Sequence, residues 1–140
     1  LTSLNLIKYT HRLKRLLGIK KSLKKQQKEV LIKDYDKAWE NILSKKPSAV
    51  NAIPSGFVDW DNTPRKNQAG SVYKGATPEK FKNYFKQLVQ KTIEEYKTDK
   101  IFVFAWNEWA EGGYLEPDKK YGYAYLEAIK EILSTIRENE

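Results

Sequence analysis

IFVFAWNEWAEGG, residues 101–113, carries two signals back to back. Ile101 to Trp106 is an apolar run without polar alternation. Such a run suits a strand covered on both faces, as in a parallel sheet. Directly after it come Glu108 and Glu111, three residues apart, with Trp106 and Trp109 flanking the first of them and Gly112 and Gly113 behind. A buried strand that ends in carboxylates and indoles reads as strand followed by functional loop. Parallel α/β folds place their sites at the carboxyl ends of strands.

Working outward, the segment before this strand reads as a helix. Thr77 is a suitable N-cap, Pro78 fits the first helical position, and Glu79 complements the positive helix end. Phe81, Tyr84, Phe85, Leu88, Val89, Ile93 and Tyr96 then form one apolar stripe. Further upstream, Phe57, Val58 and Trp60 suggest a short strand that runs into the turn-rich DWDNTPRKNQAG, residues 59–70. An earlier helix is expected after Asp34, with Tyr35, Ala38, Trp39, Ile42 and Leu43 on one face and a stop at Lys45-Lys46-Pro47. A last helix is expected from about Gly122 to Arg137, burying Tyr125, Ala128, Ile129, Ile132, Leu133 and Ile136. The order is helix, strand, loop, helix, strand, loop, helix, a βαβα pattern with parallel strands. Loops 59–72 and 107–121 both follow strands, so they should face each other at the sheet's carboxyl edge. Two strands do not make a stable sheet, so further strands must come from elsewhere.

Bulk properties narrow the function classes. The chain has 140 residues, begins with Leu and contains no Met, which suggests a piece of a longer protein. No Cys is present, which excludes disulfides, thiolate metal sites and thiol nucleophiles. A single His, His11, cannot build a histidine metal site alone. No apolar run approaches the ~18 residues of a membrane span. Formal net charge is +8, and it is concentrated: residues 1–33 hold ten Lys/Arg against one acid, Glu29. This segment reads as a variable basic connector preceding a domain over 34–140. The alternative is that residues 8–33 attract an anionic membrane surface. Nucleic acid ranks last, since only Tyr9 interleaves the basic residues.

Two carboxylates in one cleft can divide acid and base work when their surroundings differ. Apolar walls from Trp106 and Trp109 would raise a neighbouring carboxyl's pKa. Carboxyls about 5–5.5 Å apart suit retaining glycoside hydrolysis. Indole faces stack on sugar rings, and Asn107 can bond hydroxyls. Trp60, Asp61 and Arg65 at the other strand end would serve similar ends, and Arg65 could equally pair with a carboxylate or a phosphate. The plainer alternative is helix-capping glutamates, core tryptophans and an ordinary Asp61-Asn62-Thr63-Pro64 turn. A cation site from Glu108, Glu111 and Asp61 is a further alternative, though the spacing matches no recognised loop. No P-loop, dinucleotide turn or nucleophile elbow is present.

FVDWDNTPR, KGATPEKF and WNEWAEGGYLEPDKKYGYAYLEAIK, in this order, strongly resemble the WbsX-like polysaccharide-biosynthesis family, also described as glycoside hydrolase family 99-like. The resemblance spans roughly residues 34–135. It implies an α/β fold, the C-terminal part of a (β/α)8 TIM-type barrel with parallel strands, whose remaining strands lie in other sequence. It implies a carbohydrate-active enzyme, glycosidase-like or glycosyl-transferring, that acts on bacterial cell-surface polysaccharide without a cofactor or metal. By position, Glu108 would be the base acting on the sugar's 2-hydroxyl, and Glu111 the general acid/base at the glycosidic oxygen. Retention would then proceed through an anhydro-sugar. Trp60, Asp61, Asn62, Arg65, Trp106, Asn107, Trp109 and Tyr114 would bind the glycan. The related α-mannosidases have His where this chain has Ala110. The alternative is an inactive glycan-binding or scaffolding module. Either would work in the cytoplasm, with the inner membrane surface as a docking place.

Overall fold

The computed structural model describes residues 29–137 of the chain. In chain order its elements are β1 (Leu31–Asp34), α1 (Tyr35–Ser44), β2 (Ser55–Phe57), the one-turn α2 (Thr63–Lys66), a 3-10 turn (Asn67–Ala69), β3 (Ser71–Lys74) and α3 (Pro78–Lys91). A π turn (Thr92–Tyr96), β4 (Phe102–Phe104), β5 (Asn107–Glu108), a second 3-10 turn (Trp109–Glu111), β6 (Gly113–Tyr114) and α4 (Ala124–Arg137) complete it. The expected membrane contact through residues 8–33 lies outside the described residues except for 29–33, and the 33/34 boundary of the connector falls inside β1.

The class is mixed α/β with parallel strand pairs. β1 pairs with β3, and β2 with β4, both parallel, whereas β5 and β6 form a small antiparallel hairpin. Among the described residues these are three two-stranded sheets, and no barrel closes. β1 and β3 are strands that the helix–strand order above omits. Each is four residues long and carries lysine, and β3 starts directly after the Gly70 turn, so neither shows a clear apolar period.

Helix boundaries follow their caps. Asp34 accepts the Lys37 N–H at 2.9 Å and starts α1, and Thr77 accepts the Lys80 N–H at 3.2 Å with Pro78 behind it to start α3. Tyr35 and Trp39 of α1, Phe81, Phe85, Leu88 and Val89 of α3, Val58 after β2, and Tyr125, Ala128 and Ile132 of α4 make the buried core. The Trp39 ring stacks with both Phe57 and Tyr84, each with its centroid 5.7 Å away. Asp36 joins α1 to α3 through Lys80 Nζ at 2.5 Å and the Tyr84 hydroxyl at 3.0 Å.

β4 departs from the expectation of cover on both faces. Phe102 is 65% exposed and Phe104 37%. The described residues give β4 one neighbouring strand, β2, and one helical layer, so the other face is covered only at Phe104, by Trp60 and Gly113. Ile93 and Leu133 also lie outward and line an apolar groove with Ile101 and Val103 on the helical side.

Candidate functional site

The parallel pairing of β2 and β4 brings the two loops together. Val58 N–H donates to the Phe104 carbonyl at 3.2 Å and prolongs that pairing to the carboxyl ends. Three residues on, Asp61 N–H donates to the Glu111 carbonyl at 2.7 Å, a direct main-chain bond from one loop to the other. The first loop is internally fixed. Asp61 Oδ1 accepts from Thr63 N–H (2.9 Å) and Thr63 Oγ1 (2.6 Å), an Asx-type turn. Asn62 is 4% exposed, and its Oδ1 accepts the Ser71 N–H at 2.7 Å. Its carbonyl accepts the Arg65 and Lys66 N–H groups, which turns the chain into α2.

The second loop is shaped by its glycines. The 3-10 turn Trp109–Glu111 closes at Gly112, whose φ of +65° lies in the left-handed region. A Cβ there would stand 3.0 Å from Asp61 N. At Gly113 a Cβ would meet the Phe104 ring at 2.5 Å, so the hairpin lies directly on the end of β4. Leu115 and Glu116 N–H groups both donate to the Trp106 carbonyl, at 2.9 and 3.1 Å, and return the chain to the strand.

Three expected site residues converge. Arg65 Nη1 lies 3.1 Å from Glu111 Oε1 and 4.0 Å from Glu108 Oε1. The Glu111 side chain is 17% exposed and that of Glu108 39%. The guanidinium is thus a charged neighbour shared by both carboxylates. Trp109 turns to Tyr114, stacked with centroids 3.8 Å apart and planes 16° from parallel, and its Nε1 donates to Glu116 Oε2 at 2.5 Å. Trp106 and Asn107 are exposed at the rim. Trp60 donates Nε1–H to Ser71 Oγ at 3.1 Å and tilts against Phe104. Asn62 stands apart from this group, its side chain spent on β3. Among the described residues no three acidic or histidine side chains gather as a cation site, so the Glu108–Glu111–Asp61 alternative is not assembled.

Two further carboxylates belong to this edge. One is Asp59, the first acid of the motif DWD. Burial raises its pKa, against the opposing hydrogen bond from Trp60 N–H at 2.7 Å. Asp118 accepts the Tyr114 hydroxyl at 3.0 Å together with the Lys120 and Tyr121 N–H groups. Burial and the bond to Asp118 push the Tyr114 phenol up to about 12.

The sequence model of the family described as Glycosyltransferase WbsX matches residues 2–129. The chain belongs to the WbsX glycosyltransferase family. Two curated relatives, both described as "Uncharacterized protein WxcX" and both from Xanthomonas campestris pv. campestris (strains B100 and ATCC 33913), are 39% identical over 77 residues. The match covers 54% of this chain and 11% of each relative, so the chain spans a small fraction of their length. No solved structure matches it. Among the described residues, no helix is long and apolar enough to cross a membrane.

Proposed function

We propose that this WbsX-family chain is the C-terminal part of a (β/α)8 barrel enzyme that acts on bacterial cell-surface polysaccharide, with Glu108 and Glu111 as its acid–base pair. The supporting observation is the convergence of Arg65, Glu108 and Glu111 where the loops after β2 and β4 meet. Both strands are parallel, and their carboxyl ends are the edge where barrels of this type hold their chemistry. The exposed surfaces of Phe102 and Phe104 fit a sheet whose next strands come from the rest of the protein. Glu108 takes the proton of the sugar 2-hydroxyl as that oxygen bonds the anomeric carbon, and Glu111 protonates the departing glycosidic oxygen as its bond to that carbon breaks, which leaves a 1,2-anhydro sugar. Glu111 then takes the acceptor's proton as the acceptor opens the anhydro ring at the anomeric carbon, and Glu108 returns its proton to the 2-oxygen. A water acceptor gives hydrolysis and a sugar hydroxyl gives transfer. Asp61, Asn62 and Trp60 hold the first loop, while Arg65, Trp106, Asn107, Trp109 and Tyr114 face the glycan. The enzyme works in the cytoplasm, with residues 8–33 drawn to the anionic inner membrane surface.

The test is glycan turnover by the full-length protein carrying Glu108→Gln or Glu111→Gln. Each change is expected to lower turnover by at least about 100-fold, the usual contribution of a positioned acid or base. Unchanged turnover in both variants would sink the assignment.

One observation favours a second reading, an inactive glycan-binding module. The Arg65 guanidinium already occupies an oxygen of Glu111 at 3.1 Å. Glycan binding without turnover by the full-length protein would select this reading.

A further inference from the structure

Glu116 follows the expected catalytic motif but has no role in the chemistry above. It is nevertheless the residue that fixes Trp109. Its main chain is tied to the end of β4, N–H to the Trp106 carbonyl at 3.1 Å. Its Oε2 takes the Trp109 indole N–H at 2.5 Å. Tyr114 covers one face of that indole at 3.8 Å, yet Trp109 stays 48% exposed. The ring is thus held at two points, by its edge and by one face, with the remaining surface open at the same strand edge as Glu108 and Glu111.

Resting on the carbohydrate reading above, we propose that Glu116 is a positioning residue that presents the Trp109 ring as a rigid stacking platform for a pyranose. The C–H face of a sugar ring needs a flat aromatic surface, and an indole free to rotate must be immobilised on binding. Holding it beforehand removes that cost, worth about 2- to 10-fold in affinity for one side chain. The carboxylate acts as an acceptor rather than as a charge, so Gln can replace it and Ala cannot.

Nuclear magnetic resonance of the full-length protein tests this through the Trp109 indole signal, with methyl α-glucoside, α-galactoside, α-mannoside and α-rhamnoside as probes. Glu116→Ala is expected to speed solvent exchange of the Trp109 indole N–H by up to about tenfold, as loss of one hydrogen bond implies. Glu116→Gln should leave it near wild type. At least one pyranoside should shift the signal, with binding about 2- to 10-fold weaker in Glu116→Ala and retained in Glu116→Gln. In a Trp109→Phe background Glu116→Ala should have no further effect on binding, which separates positioning from general damage to the loop. Equal exchange in wild type and Glu116→Ala, or equal affinity in all variants, would overturn the proposal. A full-length protein that turns over glycan while its Trp109 ignores every probe overturns the platform and leaves the Glu pair standing. A protein whose Trp109 responds as expected, but whose turnover survives both Gln changes in the pair, keeps the platform and loses the acid–base assignment.

Discussion

Gly112→Ala is the sharpest probe of how the two site loops are joined. The backbone at Gly112 has φ +65°, where an L-residue costs roughly 1–2 kcal/mol. The added Cβ would stand 3.0 Å from Asp61 N and 3.4 Å from Asp61 Cβ. The loops must separate by a few tenths of an ångström, at the expense of the 2.7 Å bond from Asp61 N–H to the Glu111 carbonyl. Losing that bond costs about 0.5–1.5 kcal/mol more. Gly122 supplies the control, with φ +56° and nothing within 4 Å of an added Cβ. Gly122→Ala therefore carries the conformational part alone. Urea unfolding of both variants, with a slope of about 1–3 kcal/mol per molar, should place the Gly112→Ala midpoint below that of Gly122→Ala by about 0.5 M. Equal midpoints would show that the loop-to-loop contact contributes nothing, and the reasoning would fail.

Asn62→Ala should destabilise the protein by about 0.5–1.5 kcal/mol, because the half-buried Ser71 N–H loses its acceptor, while Asn62→Asp keeps one; urea midpoints check both. Phe81→Ala should cost about 3–5 kcal/mol in the same assay, since the ring is fully buried between α1, α3 and α4. Asp59 gives a pH signature. Burial raises its pKa in the folded state, so the folded chain holds this proton more tightly than the unfolded chain, and stability falls as pH rises through the folded value. Asp59→Asn should therefore be the more stable protein at neutral pH, with the difference fading below the ordinary carboxylate value of about 3.9. An advantage that persists unchanged into acid would contradict the burial account.

The long helices were legible because their signals are local. The caps at Asp34 and Thr77 and the stripes of α1, α3 and α4 need only neighbours in sequence. The meeting of the two loops was also legible, since parallel strands put their carboxyl ends together. β1 and β3 were not, because four residues with a lysine apiece show no period and gain their strand form from each other. The role of Asn62 was hidden for a related reason. Asn-Thr-Pro announces a turn, but nothing in the sequence tells that the amide is buried against Ser71. The partners within these loops are not sequence neighbours: Trp109 stacks on Tyr114, and Arg65, 43 positions before Glu108, is a charged neighbour of both carboxylates. The exposed face of β4 follows from cover that the described residues do not provide.

The bond between Asp61 N–H and the Glu111 carbonyl involves main chain only. It is blind to the side chains on both sides of it. A lineage can therefore exchange Ala110, Arg65 or Asn107 without unfastening the main-chain bond that joins the two loops. The freedom ends at Gly112, where any side chain intrudes on Asp61. Variation of side chains and constancy of the loop-to-loop join are thus assigned to different atoms of the same edge.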